Sequence, residues 1–130
     1  MIRLIYVAGR FNADTGLARR DHVTHAMRHA AWVLRQFGVQ GLYPVVPHAQ
    51  GEHLVGIGAE HIHYAGTLEI MRRCQAVLVV PGWEASKGTL AEIKEADTLG
   101  LPVFFAGQPH TEAEIREWLR PREGDTCSST

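Results

Sequence analysis

The sequence predicts an α/β domain, a parallel sheet of four to five strands between two layers of helices. Three observations predict it. Apolar strand-like runs alternate four times with segments of helical periodicity. One run, "AVLVVP" at 76–81, is apolar on both faces, as suits a strand covered on both sides of a parallel sheet. Glycines punctuate the segment ends, at Gly9, Gly38 and Gly100.

The elements follow in order. Residues 2–8, "IRLIYVA", form a first strand ending at Gly9. Residues 17–37 place Val23, Met27, Ala30, Leu34 and Phe37 at steps of three and four, an amphipathic helix that Gly38 stops. "GLYPVVP" (41–47) is a short second strand, and Pro44 favours a sheet edge because it cannot donate to a ladder. Residues 48–58 read as a glycine-rich loop. A helix over 59–73 presents Ile62, Ala65, Leu68 and Met71. The run at 76–81 is the third strand, a helix over 89–99 ends at Gly100, and "LPVFFA" (101–106) is the fourth strand. Thr111 and Glu114 have capping-box spacing for a last helix ending near Leu119. These elements make a domain over 1–120, with a flexible C-terminal tail over 121–130 that lacks apolar residues. The arrangement is three-layer, Rossmann-like or flavodoxin-like, and ligands of such sheets bind beyond the carboxyl ends of the strands.

Composition narrows the function classes. A chain of 130 residues with 45% hydrophobic side chains suits one domain with a real core. Its 13 basic and 14 acidic residues give no charge bias toward a nucleic acid polymer or a membrane surface. No apolar run approaches the roughly 20 residues of a membrane span, and "MIRLIYVAGRF" turns polar too early for a signal peptide. Cys74 falls in a helix and Cys127 in the tail, which predicts a reduced, cytoplasmic protein rather than a disulfide scaffold.

The densest chemistry lies in "VVPGWEASKGTLAEI", residues 79–93. Gly82 and Gly88 let backbone approach a ligand, and Ser86 offers a short hydroxyl. The helix expected to start near Gly88 has free amides and a positive dipole end that attract phosphate or carboxylate. Glu92 reads as a first-turn residue whose charged form the dipole favours, which suits a nucleophile at an anomeric carbon. The same position also suits a glutamate that only stabilises the helix, by about 0.3–1 kcal/mol. Lys87 reads as a solvated loop charge. Trp83 is either a lid over the site or a satellite of the core.

"YVAGRF", "YPVVPH" and above all "CQAVLVVPGWEASKGTLAEIKEADTLGLPVF" resemble the nucleoside 2-deoxyribosyltransferase-like superfamily, in a small branch found in bacteria and phages. The resemblance covers roughly residues 4–105. It implies Glu92 as the nucleophile at C1′ of a deoxyribosyl group and Ser86 as a sugar or phosphate contact. It also implies helix-start amides at Gly88 and Thr89, and a first strand and loop whose Tyr6, Gly9, Arg10 and Asn12 line the substrate. Gly82 and Trp83 complete the implied substrate-binding set. Two aspartates common in relatives are replaced here, by Thr67 and by Gln75. Arg10 stands where relatives carry proline and adds a fork suited to a phosphate.

Eight histidines are present. His25 and His29 have i, i+4 spacing, but no His-Glu-x-x-His motif and no cysteine pair accompanies them, so no metal is expected. His48 follows the second strand at the sheet end that carries the Glu92 loop. An imidazole there can hand a proton to a departing base, which makes His48 the second candidate catalytic residue.

The leading expectation is an N-glycosidase or deoxyribosyltransferase acting on a nucleoside or its 5′-monophosphate, with no cofactor. One alternative is a non-catalytic nucleotide-binding or sensor module. Another is a phosphoribohydrolase of the cytokinin-activating type, whose motif shares Gly88, Thr89 and Glu92. Surplus apolar residues, Trp32 and Val33 on one helix and Ile70 on another, predict at least a homodimer. Relatives in the superfamily imply the same.

Overall fold

The computed structural model describes residues 1–11, 13, 15–54 and 57–121. Four strands form one all-parallel sheet: β1 (Arg3–Ala8), β2 (Leu42–Val45), β3 (Ala76–Val79) and β4 (Val103–Phe105), in the order β2-β1-β3-β4. Among the described residues five α-helices flank it: α1 (Gly16–Phe37), α2 (Pro47–Leu54), α3 (Glu60–Arg72), α4 (Lys87–Thr98) and α5 (Thr111–Leu119). This is a three-layer, Rossmann-like α/β fold. No fifth strand occurs among the described residues, and the predicted tail beyond Pro121 lies outside them.

Strand alternation sorts the core into two faces. Ile5, Leu42, Leu78 and Phe104 pack with Val33 and Phe37 of α1 and Ile115 and Leu119 of α5. Val7 and Val80 meet Ala26 and Ala30 of α1. On the opposite face Tyr6, Ala8, Val77 and Val79 pack with Met71 of α3 and Ala96 of α4. All four residues of β3 are buried, as its two apolar faces require. Pro44 sits on the edge strand β2, where its missing N–H costs no pairing on the free side.

Several local readings change. The buried face of α1 is Ala26, Ala30, Val33 and Phe37, while Met27 and Leu34 are 45% and 49% exposed. Small alanines let the helix approach Val7 and Val80 closely, which rotates the longer side chains outward. Trp32 and Ile70 both pack against the core, so they are not surplus surface. Gly38 is right-handed helical, and the chain turns instead at Gly41, whose φ is +86°. A Cβ at Gly41 would stand 2.7 Å from the Met1 carbonyl oxygen.

Residues 48–54, part of the span 48–58 expected to be loop, belong to helix α2, with Pro47 preset for its first position. Its Gly51 serves close packing, because a Cβ there would lie 2.8 Å from His63 Nε2 on α3. The expected capping box of α5 does not form. Thr111 lies inside the helix, buried, and its hydroxyl donates to the Phe105 carbonyl at the end of β4.

Glycine substitutions separate these roles. Gly41→Ala must hold a side chain at positive φ against backbone, which destabilises by about 1–3 kcal/mol. Gly66 is inside α3 with open space around it, so Gly66→Ala stabilises by about 0.5–1 kcal/mol. Urea unfolding of the two variants reads opposite shifts in midpoint.

Candidate functional site

The chain leaves β1 for β2 on one side and returns to β3 on the other, which puts the topological switch point between the carboxyl ends of β1 and β3. The two exits stay close because Gly9 has no side chain; a Cβ there would be 3.3 Å from Val80 Cβ. Above them opens a cavity of about 860 Å³, walled by the β1 exit, α2, α3 and the start of α4. Gly9, Arg10, His48, Ser86, Gly88, Thr89 and Glu92 all line it, so the topology gathers most of the predicted site.

Helix α4 begins one residue earlier than the sequence suggests. Ser86 is extended and caps it, accepting from the Thr89 amide at 3.2 Å and from the Thr89 hydroxyl at 2.9 Å. The Ser86 hydroxyl and the Thr89 amide are therefore engaged with each other. The amides of Lys87 and Gly88 remain as helix-start donors without an intrahelical partner. Gly88 opens onto free space.

With α4 starting at Lys87, Glu92 is its sixth residue and lies in the second turn, beyond the main reach of the dipole. Side chains hold it instead. Glu92 is 2% exposed, and the Tyr6 hydroxyl donates to its Oε2. His48 Nε2 stands 3.7 Å from its Oε1. Burial, and then the neighbouring Glu92 charge, push the Tyr6 hydroxyl far above the ordinary phenol range, with a hydrogen bond from Thr67 working the other way. Tyr6 therefore stays a protonated donor. His48 stacks on Phe11, with ring centres 5.1 Å apart and planes 15° from parallel. A buried carboxylate is costly unless hydrogen-bonded, and this one is held by a buried phenol at the wall of a cavity.

Other predicted residues fall elsewhere. Tyr6 is fully buried and off the cavity wall, so it acts through Glu92 rather than on a ligand. Gly82 and Trp83 are also off the wall. Gly82 makes a left-handed turn at φ +96°, and Trp83 packs on Phe105 with ring centres 5.3 Å apart, which makes it a satellite of the core. Asn12 lies outside the described residues.

Of the two positions at which the resemblance implies replaced aspartates, only Thr67 is at the site, buried on the cavity wall. Gln75 takes the Leu4 amide at 2.6 Å and donates to the Arg73 carbonyl at 3.1 Å, at the opposite end of the sheet. Among the described residues no three His, Cys, Asp or Glu side chains converge as a metal site would. His25 and His29 meet edge to face at 5.0 Å.

Sequence reasoning missed Phe11, Gly51 and His63. His63 precedes Thr67 by four residues, a helical spacing that places both on one face of α3. The meeting of Gly51 with His63 is tertiary and leaves no local signal.

The fold and site define a class: a parallel α/β domain with a cavity at its switch point and, among the described residues, one buried carboxylate in the cavity wall. Residues 3–105 match the family described as "Domain of unknown function (DUF4406)", and the chain belongs to that family. The matched span runs from the first residue of β1 to the last of β4, and so contains the whole cavity. No curated protein matches the chain. No helix among the described residues is long and apolar enough to cross a membrane.

The Tyr6 contact has a pH signature. Its folded-state pKa is raised, so the unfolded chain loses the phenol proton first, near pH 10. Stability then falls as pH rises past about 10, by about 1.4 kcal/mol per unit. Tyr6→Phe removes that contribution and, at neutral pH, costs about 1–3 kcal/mol by leaving Glu92 without its donor. Urea midpoints at pH 8 and pH 11 for both proteins check the two effects together.

Proposed function

We propose that this protein cleaves the N-glycosidic bond of a (deoxy)nucleoside or its 5′-monophosphate, with Glu92 as nucleophile. The observation that carries the reading is the buried Glu92 carboxylate, gripped by Tyr6 and faced by His48, on the wall of a cavity of about 860 Å³. The free carboxylate oxygen attacks the anomeric carbon, and the base departs with the electron pair of the broken C–N bond. The resulting glycosyl ester is then opened by water or by a second base, which restores the carboxylate. His48 supplies the proton to the departing base and takes one from the acceptor. Its 3.7 Å distance from Glu92 is shorter than the about 5–5.5 Å between the two groups of a retaining glycosidase, so a sugar between them widens the pair. This chemistry needs no cofactor.

Arg10 and Lys87 line the same cavity and suit a 5′-phosphate, together with the amides of Lys87 and Gly88. Cys74 is buried, and that burial pushes its thiol up to about 11. Exposed Met27, Leu34, Ile62 and Tyr64 support at least a homodimer built on α1 and α3. One observation favours a second reading, a nucleotide-binding module without turnover: Thr67 stands where related transferases carry an aspartate.

Glu92→Gln keeps the shape and an acceptor for Tyr6 but cannot form the glycosyl ester. Base release, followed by chromatography, falls by at least about a thousandfold, with a melting curve close to wild type. Residual activity within about tenfold of wild type would remove Glu92 as nucleophile.

Arg10→Ala weakens calorimetric binding of a 5′-monophosphate by about tenfold and leaves the parent nucleoside unchanged. Equal affinities of wild type for nucleoside and monophosphate would dismiss the phosphate pocket. In sedimentation equilibrium at micromolar concentration the protein is expected above its 14.4 kDa monomer mass.

A further inference from the structure

Buried side-chain nitrogens without a hydrogen-bond partner are rare in folded proteins. Among the described residues three occur: Arg19 Nε, His48 Nδ1 and His63 Nε2. Two of these belong to imidazoles on the wall of the Glu92 cavity, one from α2 and one from α3. Both imidazoles stand beside the same apolar ring. Phe11 lies almost parallel on His48. Phe11 Cζ and His63 Nε2 also crowd the same space over Gly51, 3.4 and 2.8 Å from where a Cβ would be. A benzene ring has no donor or acceptor on its edge, so beside His63 Nε2 it leaves that nitrogen unsatisfied, which is unfavourable in a buried setting.

We infer that Phe11 occupies the place of the ligand's aromatic base, and that the subsite it fills recognises a planar heteroaromatic ring through His48 and His63. Phe11 is half-buried and belongs to no helix or strand. On binding it swings out and the base stacks on the His48 ring. A polar atom on the edge of the base then pairs with His63 Nε2. A permanent aromatic wall at Phe11 would leave His63 Nε2 unpaired in the bound state as well. Gly51 belongs to the same device, since any side chain there drives His63 from its position. The identity of the ring as a nucleobase rests on the proposed function; His63 and Phe11 are added to that site as base-recognising residue and displaceable stand-in.

Calorimetry with two probes tests it: the tightest-binding common nucleoside 5′-monophosphate, and ribose 5-phosphate, which lacks a base. Phe11→Ala is expected to bind the monophosphate about tenfold more tightly, because no ring has to leave, with ribose 5-phosphate unchanged. His63→Leu is expected to weaken the monophosphate at least about tenfold, again with ribose 5-phosphate unchanged, and His63→Gln to recover part of the loss. Gly51→Ala, which displaces His63 without altering it, should reproduce the selective loss and serves if His63→Leu does not fold. Weaker monophosphate binding by Phe11→Ala would make Phe11 a fixed wall and overturn the inference. So would a His63→Leu variant that shifts both probes equally, or neither. If wild type binds neither probe, the nucleotide reading falls and the base subsite with it. If it binds the monophosphate without releasing base, only the Glu92 chemistry falls, and the binding ratios still decide the subsite.

Discussion

The contact between Tyr6 and Glu92 joins the sheet to α4 through a buried polar pair. Tyr6 points from β1 into the α3–α4 face of the core, and its hydroxyl ends on the carboxylate of a helix that starts after β3. Neither group would be tolerable there alone. The phenol would be a buried donor without an acceptor, and the carboxylate a buried charge without a donor. Their pairing fixes how deep α4 sits on the sheet, and thereby where the Ser86 cap and the cavity wall fall.

The position of that pair also decides its electrostatics. Glu92 lies past the first turn, so its setting is made by Tyr6 and His48 rather than by the helix end. The helix end remains free to serve a different part of a ligand. One short helix thus presents two separate kinds of group along its first two turns, amides at Lys87 and Gly88 and a carboxylate at Glu92. Strand order places both over the gap between β1 and β3, where a ligand can reach them.

The fold was legible because β3 is apolar on both faces and because the helices repeat every three to four residues. Glu92, His48, Arg10 and Ser86 were legible as a group because strand ends and helix starts of a parallel sheet must share one rim. The facing of α1 was misread because alanines carry little weight in a hydrophobic pattern yet permit the closest approach to a sheet. Helix α2 was misread because Gly51 looks like a breaker, when its missing side chain is what lets α2 lie on His63. Trp83 and Gly82 drew attention by type and proved to serve the turn and the core. In each case the deciding partner, Val7, His63 or Phe105, is remote in sequence.

The two faces of the sheet carry unequal duties. The α1–α5 face is closed by hydrocarbon contacts among Ile5, Leu78, Phe104, Ile115 and Leu119, and none of these residues lines the Glu92 cavity. Helix α5 also lies outside the family match, which ends at Phe105. Energetic changes at positions without shared contacts add nearly independently. Substitutions in α5 can therefore raise or lower the melting temperature while the Glu92 cavity on the other face keeps its lining, so stability and cavity shape can change on separate surfaces.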